Sequence, residues 1–112
     1  MTYANLERVK AVLRITGNEE DNVLSTILQE VDAEINTILM KYTQLPITDE
    51  RIRTILAGIE AEWAGGVYRS YVEPSVMTYP EHPPREHVLI TNAKRRLREL
   101  IEVHLKKKVD TI

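Results

Sequence analysis

The sequence predicts an all-α protein of about four helices, and three observations carry that expectation. Apolar residues recur at three- and four-residue steps through four separate segments. Helix breakers fall between those segments, at Gly17, at Pro46 and at the run Pro74, Pro80, Pro83 and Pro84. Residues with N-capping side chains stand just ahead of the two longest segments. The 112 residues suffice for one domain and are too few for two independent cores.

The first helix is short. Leu6, Val9, Val12 and Leu13 share one face, and Gly17 offers the stop. A long amphipathic helix follows from Asn22 to Tyr42, with Leu24, Ile27, Leu28, Val31, Ile35, Ile38, Leu39 and Tyr42 forming one buried stripe. Two caps are open to it: Thr16 with Glu19 at capping-box spacing, or Asn18 followed by Glu19, Glu20 and Asp21 at the positive end of the dipole. Pro46 interrupts the pattern, and Thr48 is the expected N-cap of a third helix, with Asp49 and Glu50 in its first turn. Ile52, Ile55, Leu56, Ile59, Trp63, Val67 and Tyr68 carry that helix to about Tyr71. Prolines then favour extended backbone, and at about 3.3 Å per residue the segment from Val72 to Pro84 could reach roughly 40 Å. A last helix starts near Glu86 or Thr91, with Ala93, Leu97, Leu100, Ile101, His104 and Leu105 on one stripe. The organisation is a helical body over 1–71, an extended Pro-rich arm over 72–85, and a basic helix and tail over 86–112, all within one domain.

Composition narrows the class. Phenylalanine is absent, the aromatics are one Trp and five Tyr, and the core is built from Leu, Ile and Val. With no cysteine there is neither a disulfide framework nor a thiolate metal site. No window approaches the roughly 20 apolar residues that span a bilayer, and "MTYANLERVK" has no apolar signal core, so an intracellular chain with no membrane partner is expected. Charge is segregated: residues 1–92 carry eight Lys/Arg against fourteen Asp/Glu, a net of −6, and residues 93–112 carry seven against three, a net of +4. Either the basic tail meets a charged partner or it is a solvated helix face.

The stretch "EAEWAGGVYRSY" places the only tryptophan beside two glycines inside a helix. Ala57, Gly58, Ala61, Ala64 and Gly65 recur at helical spacing, so one strip of this helix lacks bulk and backbones can approach it closely. Each glycine costs about 0.5–1 kcal/mol in a helix interior, which close packing must offset. The strip, with Trp63, is expected either to pack against another helix of the chain or to form a subunit interface, with a kink at Gly65-Gly66 as a further possibility.

Catalytic patterns are missing. His82, His87 and His104 have no metal-ligand spacing; the first two read as loop histidines and the third as a partly buried packing residue. "WAGGVY" lacks the ending of a phosphate loop, and Ser25, Ser70 and Ser75 have no His/Asp pattern beside them. Glu60 and Glu62, two apart on a helix, point to different sides. No enzyme, cofactor or metal is predicted. The sequence "NAKRRLRELIEVHLKKK" could lay Lys94, Arg95, Arg98 and Lys106 along phosphates, which makes a small helical DNA-binding regulator the alternative reading. No tight helix-turn-helix spacing precedes that helix, and the rest of the chain is acidic.

The order of elements resembles one family. "NLERVKAVLRITGNEEDNVLSTILQEVDAEINTIL" is similar to the opening of the head-tail connector (adaptor) proteins of long-tailed bacteriophages and prophages, in which a short helix, an acidic turn and a long amphipathic helix follow one another. The alanine-rich next helix of that family ends in an aromatic-x-arginine pattern, which "AEWAGGVYRSY" resembles at Ala61, Tyr68 and Arg69, with the tyrosine here directly before the arginine. The resemblance covers roughly residues 1–71. It implies a virion-neck protein, present in the host cytoplasm during assembly, that forms a homo-oligomeric ring of about twelve copies beneath the portal. Such a ring extends the channel for passing double-stranded DNA and receives stopper or tail completion proteins. On that reading Arg95, Arg98, Lys106 and Lys107 contact the portal or another acidic partner, Tyr68 and Arg69 join body to arm, and Val72, Pro74, Met77 and Tyr79 belong to an arm lying across a neighbouring subunit.

Overall fold

Four α-helices make up the described part of the computed structural model, which comprises residues 2–72 and 87–105. They are α1 (Leu6–Leu13), α2 (Asp21–Leu39), α3 (Glu50–Val72) and α4 (Val88–Leu100), the last running into a π-helical turn at Ile101–Leu105. No strand occurs among the described residues, so the all-α class with about four helices holds. α3 is the hub: α4 packs on it most extensively, then α2, then α1.

Each boundary has a local cause. Asn5 caps α1, its side-chain oxygen accepting from Arg8 N at 2.9 Å. α1 ends before Gly17 because Arg14 adopts the left-handed conformation, φ 59 and ψ 40, and Ile15 N donates back to Lys10 O at 2.9 Å. Val12 therefore belongs to the last turn and is 38% exposed, not buried as its spacing suggested, while Val9, Lys10 and Leu13 face inward. At the start of α2 neither expected cap operates: Glu20 holds the N-cap position with no side-chain hydrogen bond. Asp21 instead receives Lys10 Nζ at 2.9 Å, a bond that ties α1 to α2 and raises the Lys10 pKa.

The stripe of α2 is buried as its periodicity predicts, through Leu24, Ile27, Leu28, Val31, Ile35 and Leu39. Tyr42 departs from it and is 37% exposed. Helical bonding ends at Leu39 and Tyr42 N bonds Leu39 O in a tighter turn, so the 3.6-residue register no longer applies. The connection passes through a cis Leu45-Pro46 bond and returns Ile47 to the core. Asp49, rather than Thr48, caps α3: its Oδ1 accepts from Arg51 N at 2.9 Å and Ile52 N at 3.4 Å. Asp49→Ala is accordingly expected to cost about 1 kcal/mol in chemical denaturation and Thr48→Ala almost nothing. Equal losses would contradict this assignment.

α4 begins between the two expected starts. His87 is its N-cap, Nδ1 accepting from Leu89 N at 3.1 Å. Ile90, Ala93, Leu97 and Leu100 face α3, and the π-turn then buries Ile101 and Leu105. By lengthening the turn, the i→i+5 pattern rotates His104 out to an exposed position, which corrects its expected place in the apolar stripe. The expected arm residues Pro74, Met77 and Tyr79 lie outside the described residues, as do His82, Lys106 and Lys107.

Candidate functional site

The small-residue strip of α3 meets neighbours on several sides. Ala61 and Ala64 are fully buried and Ala57 is 9% exposed. A side chain at Gly65 would stand 3.2 Å from Val12 Cγ1 and 3.6 Å from Leu13 Cδ2, so α1 crosses α3 there. At Gly66 the neighbours are the first turn of α4, with the Ile90 backbone nitrogen only 2.9 Å from where a Cβ would lie. Over Gly58 two guanidinium groups converge, Arg96 Nη2 at 3.2 Å and Arg8 Nη2 at 3.3 Å. α3 continues through the Gly65-Gly66 pair as one helix to Val72. At Gly65 and Gly66 a residue without a side chain lets α1 and α4 approach the α3 backbone of the same chain.

Trp63 is 3% exposed and forms the floor of a surface groove between α2 and α4, with Ile38, Tyr42, Leu97 and Ile101 as apolar walls. Lys94, Arg98 and Glu102 line its charged side, and Lys94 Nζ stands 5.4 Å from the Trp63 ring centroid. The basic residues of α4 are thus divided. Arg96 reaches across to Glu62 of α3 at 3.2 Å, Arg95 pairs with Glu99 at 3.3 Å on the exposed face, and Arg98 is exposed at the groove. The Arg95 pair is more than half exposed on both sides, so its contribution is at most a few tenths of a kcal/mol.

At the far end of α3, Tyr68 packs partly buried against the core. Arg69 Nη2 donates to Leu13 O at 3.4 Å, supplying a donor to a carbonyl at the end of α1. Val72, the last residue of α3, is 52% exposed. The structure therefore gathers Trp63, Lys94 and Arg98 around one groove and leaves Tyr68, Arg69 and Val72 at the other end of the helix pair.

Sequence reasoning missed a buried polar centre. Glu60 is fully buried, its Oε1 accepting from Ala4 N at 2.9 Å. Asp32, Asn36 and Tyr3 continue the network, with Asn36 Nδ2 donating to Asp32 and Tyr3 OH donating to Asn36 Oδ1. The available signal was a carboxylate inside the apolar run "ILAGIEAEWAGG"; the divergence of Glu60 from Glu62 was legible, but not what Glu60 would face. Among the described residues no group of three or more His, Cys, Asp or Glu side chains could hold a metal, and no helix is long and apolar enough to cross a membrane.

Comparison with known families finds one match: the model of the phage gp6-like head-tail connector proteins covers residues 3–80, which includes all of α1, α2 and α3. No curated protein and no solved structure matches the chain.

Proposed function

Because the chain belongs to the phage gp6-like head-tail connector family, we propose that it assembles as a ring of about twelve copies beneath the portal, extends the DNA channel and receives stopper or tail completion proteins. Its role is structural, in the assembly of the phage neck. The observation that carries this reading is the extent of the family match, which takes in the whole three-helix body and stops before α4. In the proposal the body builds the ring, and α4 with the basic tail meets the partner. Arg98 at the open groove and Arg95 on the outer face, together with Lys106 and Lys107 later in the sequence, are the residues assigned to the acidic partner surface. Val72 belongs to α3 rather than to the extended arm as expected, and the arm that follows it, with Pro74, Met77 and Tyr79, is assigned to a neighbouring subunit, a heterologous contact of the kind that closes rings. DNA passes through the channel without sequence-specific contacts.

The DNA-binding alternative draws less support from α4 than its composition suggested. A phosphate-gripping face needs several unengaged cations in a row. Here Arg96 is directed to Glu62 and Lys94 to the Trp63 face.

The paired reversal Arg95→Glu with Arg98→Glu tests the assignment. Portal docking measured by co-sedimentation is expected to fall at least tenfold, a loss of about 1.4 kcal/mol or more, while native mass spectrometry of the chain alone is unchanged. Normal docking by the variant would overturn the assignment of Arg95 and Arg98, whereas no docking by the wild type, together with duplex DNA binding that weakens steeply with salt, would overturn the connector reading in favour of the regulator.

A further inference from the structure

Two guanidinium groups stand beside a single carboxylate where α1, α3 and α4 meet. Arg8 Nη2 of α1 and Arg96 Nη2 of α4 lie 3.3 and 3.2 Å from where a Cβ of Gly58 would be, so the missing side chain leaves both groups room over the α3 backbone. Arg96 Nη1 donates to Glu62 Oε1 at 3.2 Å, and among the described residues no carboxylate is paired with Arg8. Like charges this close repel, and Glu62 supplies one negative charge for two positive ones. The cluster is open to a partner: Arg8 is exposed, and so is 41% of the Arg96 side chain.

A shallow apolar depression adjoins the pair. Ile55 of α3, Leu100 of α4 and Val103 of the π-turn line it, the last 58% exposed, with Arg96, Glu99 and His104 at its rim. Glu99 is engaged by Arg95. An apolar patch with surplus guanidinium beside it matches a surface that offers an exposed apolar side chain next to a carboxylate.

The chain carries such a surface elsewhere. Where the start of α2 meets the end of α3, Val23 and Tyr71, the latter 69% exposed, come together with Glu30, and no cation lines that patch. The exposed apolar residues Met40, Tyr42 and Leu45 are poorer candidates, because Lys41, Arg53 and Arg98 beside them carry the same charge as Arg8 and Arg96.

We propose that Arg8, Arg96 and the adjoining depression form a socket for a second copy of this chain, which inserts Tyr71 beside Val103 and sets Glu30 against Arg8. The inference rests on the ring reading above and names the surfaces that build it. Socket and insert share no residue, so the contact is heterologous and repeats head to tail, giving each copy one neighbour on either side. Arg95 and Arg98 are left for the other partner.

Charge swapping and cysteine cross-linking of the full chain test the socket. In sedimentation velocity, Arg8→Glu and Glu30→Arg are each expected to weaken self-association at least about tenfold, and the two combined in one chain to restore it, because every contact then has its charges exchanged. Both positions are exposed, so each single variant is expected to keep the wild-type circular dichroism melt. The chain has no cysteine of its own. An equimolar mixture of Tyr71→Cys and Val103→Cys chains should therefore oxidise to a mixed disulfide dimer, with neither variant cross-linking alone. Self-association that survives either reversal, or that the swap fails to restore, would overturn the socket while leaving a ring built through another surface. Homodimers of a cysteine variant in place of the mixed dimer would overturn the head-to-tail order. A wild type that stays monomeric at every concentration would overturn the socket too, and the connector reading is then judged separately by portal docking.

Discussion

Trp63→Ala is expected to lower stability by about 3–5 kcal/mol, the largest single loss in the chain. The indole is 3% exposed and anchors three elements together, with Ile38 of α2 and Leu97 of α4 on either side and Ile101 of the π-turn beyond. Truncation would join the emptied volume to the open groove, so part of the cavity would fill with water rather than collapse. Denaturation followed by far-ultraviolet circular dichroism is the appropriate measurement, since the variant carries no other tryptophan to report fluorescence. Trp63→Phe should lose less, and a loss under about 1 kcal/mol for the alanine variant would show that α2 and α4 are held together without the indole.

The second large effect is a contrast between glycines. Gly66→Ala is expected to destabilise by about 1–3 kcal/mol, even though alanine is worth about 1 kcal/mol more than glycine in a helix. The new Cβ would stand 2.6 Å from Ile90 Cγ1, 2.9 Å from Ile90 N and 3.1 Å from Leu89 Cβ, so the first turn of α4 must move as a unit. At Gly58 the same substitution meets only the ends of two arginine side chains, at 3.2 and 3.3 Å, and these can swing aside. Gly58→Ala should therefore stabilise by about 0.5–1 kcal/mol. Urea midpoints of the two variants displaced in the same direction would show that propensity, not the approach of α4, governs this helix.

These two sites also show how far the chain could be read before its structure. That α3 carries a strip without bulk was visible from the spacing of Ala57, Gly58, Ala61, Ala64 and Gly65. Spacing places residues on a helix face but does not say what covers the face, so the division of that strip among α1, α4 and two arginines was not visible. The buried stripe of α2 was legible for the same reason, and it stopped being legible at Tyr42, where the helix ended and its period with it. His104 was misplaced because one π-turn changes the register of everything after it, and that turn has no residue signature. Thr48 and Asp49 both have capping side chains, and a shift of one residue between them depends on how the preceding loop enters the helix.

The sequence alone determined the all-α class, the order of the helices and most of their inward-facing stripes, because each depends on composition and on a period repeated within a contiguous segment, while its resemblance to a known family pointed to the connectors. Only the tertiary structure decided that Arg96 reaches Glu62, that Trp63 and Arg98 border one groove, and that Glu60 is buried with the Ala4 amide on its Oε1. Those pairings join residues far apart in the chain, such as Ala4 and Glu60, and their energies depend on burial and mutual distance, which exist only once the helices have packed.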